Sequence, residues 1–337
     1  MKKRVLSVII MCILITSLFA SCGNNIEDAE KQNNNFGQEI VTNNEDGVTI
    51  TSVFGDAEME ITYDEVPERV VSLAGFATEM LLALGLEDKI VGYAWQDNDV
   101  LPQYEEAFSK LIPLCEPGMD PGKEVMLAAK PDLVLSWASW SEEDYYNYEN
   151  LKANGIKTYG FHCERYEGAS LQDVYDDFMN LGKIFRVEDK ASALVEEMKN
   201  CIAAVENRVK DLEPVKVFVC DIASTEEEAF TVGGGLPGEI LTKAGAVNVV
   251  EDVNSNWTHV SWEVIAASNP DWIVLDYYTN AEDVDGTIAF LKNHPALKEL
   301  DAVKNEKFIA VGLTDISASE RNDDTVELLA SYFHPVQ

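Results

Sequence analysis

The side chains with the reach and shape to hold a ligand are mainly aromatic. Trp95 closes one apolar run, Trp137 and Trp140 follow another, and Trp257 lies in a loop ahead of a helical stretch that opens near Glu263. Tyr277 and Tyr278 end the apolar run that begins at Trp272. Core aromatics usually sit in mid-strand, whereas rings at strand C-terminal ends are placed to stack on a flat or ring-bearing ligand. The bland alternative is packing beneath the loops. Two polar residues join the set. His162 ends a strand-like run, and Arg321 opens the last helical stretch, where a guanidinium suits carboxylate or phosphate oxygens.

The same search finds no catalytic set. The four histidines, His162, His259, His294 and His334, include no i,i+4 pair and no clustered metal ligands. No serine sits in a G-x-S-x-G elbow, and no cysteine has an evident histidine partner. Acidic pairs such as Glu142-Glu143 and Asp176-Asp177 are most simply solvated faces in a chain with 60 acidic and 25 basic residues. Gly233 to Gly238 formally fits G-x-G-x-x-G, but a lone match reads as a tight lead-in to a helix near Pro237. These residues predict a binding protein with no resident cofactor or metal, not an enzyme. A surface-anchored hydrolase is the rival class. A formal net charge of −35 excludes nucleic acid as a partner.

The elements that would position the rings alternate between strand and helix patterns. Arg69–Leu73, Lys89–Trp95, Leu133–Trp137 and Ile156–His162 read as strands, with helical stretches around Thr78–Leu84, Lys123–Lys130 and Glu142–Asn154. A second set reads Val215–Ile222, Ala229–Gly233, Trp272–Tyr278 and Phe308–Leu313. This alternation predicts α/β lobes with mainly parallel sheets. Between the sets, Ala191, Leu194, Met198, Cys201, Val205, Val209 and Leu212 recur at steps of three and four. They predict one helix from Val187 to Leu212, about 39 Å long, that joins two domains as a rigid strut.

An internal repeat supports two related lobes. Glu124 to Val134 (EVMLAAKPDLV) reappears as Glu263 to Ile273 (EVIAASNPDWI), and Glu79-Met80-Leu81 with Gly85 reappears as Glu239-Ile240-Leu241 with Gly245. The predicted organisation is a lobe over 49–186, a connecting helix over 187–213 and a second lobe over 214–337, with a ligand cleft between the lobes.

The first 48 residues set the expected compartment. Lys2, Lys3 and Arg4 precede a short apolar run, Val5 to Phe19, which ends at Ala20-Ser21-Cys22. That is a signal-peptide pattern, too short to span a bilayer. Leu18 to Cys22 resembles a bacterial lipobox, in which Cys22 would be lipidated, although Phe19 stands where Leu is usual. Residues 23–48, rich in Asn, Asp, Glu and Gln, read as a flexible tether. Cys115, Cys163, Cys201 and Cys220 carry no C-x-x-C pattern; isolated thiols are expected, with a disulfide left open.

Val66-Pro-Glu-Arg-Val-Val-Ser-Leu, Thr78-Glu-Met-Leu-Leu-Ala-Leu-Gly, Lys89-Ile-Val-Gly-Tyr and Ala129-Lys-Pro-Asp-Leu-Val resemble the ABC-importer binding proteins for ferric siderophores, haem and cobalamin. The resemblance runs from about residue 50 to 335. It implies an extracytoplasmic, monomeric receptor that gives a metal chelate to permease and ATPase subunits. It also implies a permease-docking glutamate on each lobe, seven residues before the proline of the P-D entry, which matches Glu124 and Glu263. Cobalamin-binding members carry tryptophans that match Trp137 and Trp257, and an arginine that loosely matches Arg321. The implied ligand is a ferric siderophore, with a corrinoid or haem as alternatives.

Overall fold

The computed structural model describes residues 47–116, 119, 121–137, 147–278 and 282–335; Cys22, most of the expected tether and Trp140 lie outside them. The first half contains β1 (Val48–Phe54), β2 (Ala57–Tyr63), β3 (Val70–Ser72), α1 (Gly75–Ala83), β4 (Ile90–Tyr93), α2 (Glu105–Phe108), α3 (Gly122–Ala128), β5 (Leu133–Leu135), α4 (Tyr148–Ala153), β6 (Lys157–Tyr159) and α5 (Leu171–Phe185). Then comes α6 (Glu188–Val209). The second half contains β7 (Val215–Asp221), β8 (Glu228–Val232), α7 (Leu236–Lys243), β9 (Ala246–Asn248), β10 (Trp257–Ser261), α8 (Trp262–Ser268), β11 (Trp272–Tyr277), α9 (Glu282–Asn293), α10 (Asp301–Lys304), β12 (Phe308–Gly312), α11 (Leu313–Ile316) and α12 (Asn322–Phe333).

Each half builds a four-stranded parallel sheet. The orders are β4-β3-β5-β6 and β9-β7-β11-β12. Counted within its own sheet, each runs second, first, third, fourth, so the two lobes share one topology. The strands are short and almost wholly buried, as expected for sheets covered by helices on both faces.

The sequence repeat has a structural meaning. Lys130 and Asn269 both adopt positive φ (52° and 47°), which turns the chain into the Pro-Asp entry of the third strand. The Asp132 carboxylate then accepts from the main-chain N–H groups of Glu68 and Arg69 at 2.9 and 3.0 Å, just ahead of β3. Asp271 accepts from Lys216 N–H at 2.9 Å, near the start of β7. In each lobe this aspartate ties the third strand to the first.

Glu79 and Glu239, the other repeated pair, reach between the halves. Glu79 on α1 pairs with Arg321 at the start of α12, and Glu239 on α7 accepts from Leu171 N–H, the first residue of α5, at 2.8 Å. Asn98 and Asn256 cross as well. Asn98 Nδ2 donates to Tyr277 O and its Oδ1 accepts from Thr314 N–H; Asn256 Nδ2 donates to Cys163 O.

Several expectations shift. The buried stripe of α6 is Ala191, Val195, Met198, Ile202, Val205 and Val209, while Cys201 and Leu212 are exposed. The sequence pattern marked adjacent apolar residues one position off the buried face. The helix ends at Val209, so Leu212 falls beyond it. Trp257 is not in a loop: it opens β10, which pairs antiparallel with β8. The hairpin β1–β2 also went unread, and its first strand begins at Val48, inside the expected tether. Its signal was present. V-T-I-T-S-V-F and A-E-M-E-I-T-Y flank Gly55-Asp56, with Gly55 at φ +62°. The four cysteines among the described residues form no disulfide.

Candidate functional site: a cleft between the lobes

Strands of a parallel sheet deliver their C-terminal ends to one edge, and the two sheets place such ends around a common cavity of about 700 Å³. From the first half, Trp95 and Asp97 beyond β4, Trp137 beyond β5, and 163–166 beyond β6 line it. From the second half come Asp221 at the end of β7, Trp257 on β10, Tyr278 beyond β11 and the segment around α11.

Four expected aromatics therefore meet there: Trp95, Trp137, Trp257 and Tyr278. All are half-buried. Trp95 is held at φ +53°, a costly conformation for a bulky residue, which directs the chain after β4 toward the cleft. Trp137 packs on Phe76 with ring centroids 4.8 Å apart, and Trp257 stacks on Phe230 at 5.6 Å and 27°. Each ring is thus braced from behind. Phe230, which also lines the cavity, was missed; it sits opposite His259 in the β8–β10 pair.

Three expected residues do not line the cavity. Tyr277 points to the opposite side from Tyr278 because strand side chains alternate. His162 is committed to the scaffold: its Nε2 lies 2.8 Å from Thr51 O, and its main-chain N–H donates to Asp177 at 2.8 Å. Arg321 is the larger correction. It is 8% exposed, and Nε and Nη2 each donate to a Glu79 carboxylate oxygen at 2.7 Å. Nη1 donates to Asp315 at 3.1 Å, and Nη2 also to Asp99 O at 2.7 Å. With its fork filled, it closes the lobes together and offers little to an anionic ligand.

The glycine run is structural. A Cβ on Gly233 would strike the Ser255 carbonyl oxygen and one on Gly234 that of Glu251, so this segment passes against backbone on its way into α7. Glu124 and Glu263 are exposed, each in the first turn of its helix, α3 and α8. Acids there also suit the helix dipole. Among the described residues, no group of three or more His, Cys, Asp or Glu is arranged to hold a metal ion. No helix among them is long and apolar enough to cross a membrane.

Two topologically matched lobes around a ring-lined cavity define a receptor for a small solute. Comparison with known proteins agrees. The chain matches the periplasmic binding protein family over residues 70–312 and belongs to it. It is 26% identical over 340 residues to an uncharacterized ABC transporter substrate-binding lipoprotein, YvrC, of Bacillus subtilis, covering 99% of this chain and 98% of that one. It is 25% identical to a cobalamin-binding protein of Halobacterium salinarum, covering 81% of this chain and 71% of that protein. The crystal structure of an ABC-type Fe3+-hydroxamate transport system protein from Saccharomonospora viridis superposes with a TM-score of 0.70 at 26% identity, over 85% of this chain and 99% of that one. The protein is an extracytoplasmic substrate-binding component of an ABC importer, a transport protein and not an enzyme, working with permease and ATPase subunits.

Proposed function

We propose that the protein captures a bulky metal chelate of the ferric siderophore class and delivers it to its permease. The observation that carries this reading is the cavity walled from both lobes by Trp95, Trp137, Trp257 and Tyr278, wide enough at about 700 Å³ for a ligand larger than a simple sugar or amino acid. The hydroxamate-transport relative supports it. A corrinoid is the second reading, favoured by the pairing of Trp137 and Trp257 in one cleft and by the cobalamin-binding relative. In the same proposal the protein works as a monomer, lipidated at Cys22; palmitate labelling lost in Cys22→Ala is the test of that anchor.

Titrating the protein with a ferric trihydroxamate, cyanocobalamin and haemin, while following tryptophan fluorescence, tests the ligand class. The true ligand quenches the emission. Trp257→Ala weakens its binding by about thirtyfold, the loss expected of a truncated aromatic anchor, with the thermal midpoint retained. A flat signal and no calorimetric heat across all three chelates would refute the chelate reading.

A further inference from the structure

Below the rings, the second-lobe wall of the cleft is acidic in a way the aromatic reading leaves unexplained. β7 and β11 are in-register parallel neighbours, with Asp221 opposite Asp276. Their side chains stand on one face of the sheet, and Tyr278, two residues past Asp276, shares that face. Asp221 and Tyr278 line the cavity, and the Tyr278 hydroxyl donates to Asp221 Oδ1 at 3.3 Å. Asp276 is 0% exposed, and its carboxyl meets no donor from another residue; its partner is the Asp221 carboxyl, with which it can hydrogen-bond only by sharing a proton. Asp97 adds a third carboxyl from the first lobe.

Among the described residues, the cations placed to balance these groups are engaged. Asp315, which also faces the cluster, is held by Arg321 at 3.1 Å and by Gly312 N–H at 2.8 Å. Arg165, the one base among the described lining residues, is drawn to Asp173 and Glu58 at 3.3 and 3.4 Å. Carboxyls gathered out of water without a cation cannot all ionise. Burial, then the charge of Asp221, pushes Asp276 far above the carboxylate range, and burial pushes Asp97 up to about 6. Such a cluster destabilises the empty protein, and an incoming proton donor or positive charge relieves it.

We propose that Asp97 and Asp221, with Asp276 buried beside Asp221, form a subsite of the cleft for an ammonium or amide N–H group of the ligand, so that the protein accepts cationic or neutral chelates and rejects polyanionic ones. The occupant is organic, because the described residues lack a metal-holding arrangement and carboxylates match N–H donors. The inference rests on the chelate reading for its ligand, while the subsite can be tested separately.

The full-length protein is titrated by calorimetry with three probes: a ferric trihydroxamate bearing a free amine, neutral cyanocobalamin, and an anionic ferric triscatecholate. At least one of the first two binds, and either outranks the third. Affinity for the amine-bearing chelate rises with pH through about 6, as Asp97 ionises. Asp221→Asn and Asp97→Asn each weaken that chelate about tenfold and narrow its lead over the triscatecholate. Equal or stronger binding of the triscatecholate by the unaltered protein, or an unchanged ranking in both variants, overturns the proposal. In parallel, a long-chain alkylammonium salt raises the thermal midpoint of the unaltered protein and not of Asp221→Asn. Loss of that difference overturns the subsite even if chelates bind; failure of all three chelates with the difference intact overturns only the chelate reading.

Discussion

Glu79 and Arg321 stand 242 positions apart in the chain, and their side chains meet in a two-bond fork with both oxygens at 2.7 Å. Burial pushes the Glu79 carboxyl up, and Arg321 pulls it back. The fork geometry favours the ionised pair. Removing one member of a buried pair strands the other, which costs about 3–5 kcal/mol, whereas replacing both by apolar residues of similar size is often near neutral. Glu79→Ala is therefore expected to lower unfolding free energy by about 3 kcal/mol or more, and Glu79→Leu with Arg321→Met to recover much of it. Denaturant titration decides: a double variant as weak as the single one contradicts this view of the clasp. The pair also shows why Arg321 was misread. Its chain position beyond β12 pointed toward the cleft, but the partner that captures it lies in the other lobe, and local sequence carries no trace of that contact. His162 failed for the same reason, with its acceptor on β1. Trp95, Trp137 and Tyr278 were legible because a strand's C-terminal end is a local property, and in a parallel sheet it also fixes the direction of approach to the cleft.

At the scale of elements, most of the parallel strands were legible because buried strands read as unbroken apolar runs, while β9, only three residues long, was not. The antiparallel β8 was read too, but β1, β2 and β10 alternate polar with apolar residues, and among acidic neighbours that alternation is a weaker signal. The Pro-Asp entries were visible as a repeat, but their work as strand ties needs the fold. Asp132 receives two main-chain N–H groups and Asp271 one near the corresponding place. These bonds are solvent-exposed, so each is worth only about 1 kcal/mol. Asp132→Ala is expected to cost more stability than Asp271→Ala, by roughly one such bond. Thermal unfolding in matched buffer reads the order, and the reverse order would mean that the ties do not set sheet stability. Asn at either position keeps an acceptor oxygen and recovers part of the loss.

At the scale of the whole molecule, the shared strand order makes every feature of one lobe a question about the other. Repeated Pro-Asp entries became strand ties, and the repeated Glu79 and Glu239 became contacts between halves. The third repeated pair, Glu124 and Glu263, makes no ion pair among the described residues and stands exposed on the first turns of α3 and α8. A helix-dipole role explains an acid at each place and is worth at most about 1 kcal/mol at an exposed terminus. It does not explain why glutamate recurs at both while neighbours such as Leu127 and Ala266 or Lys130 and Asn269 diverge. Docking onto a two-part permease does, since two related lobes would each present one acid to a basic residue of the matching half. Such rim charges govern encounter rate and salt dependence more than ligand grip. The Glu124→Ala, Glu263→Ala double variant is accordingly expected to bind its chelate with unchanged affinity and to lose uptake, with each single variant intermediate. The defect of a single variant should deepen with added salt, because screening weakens the charge contact that remains. Uptake by whole cells, measured beside calorimetry on the purified protein, separates the two effects. Normal uptake by the double variant would remove the docking role and leave both glutamates as helix-terminal acids.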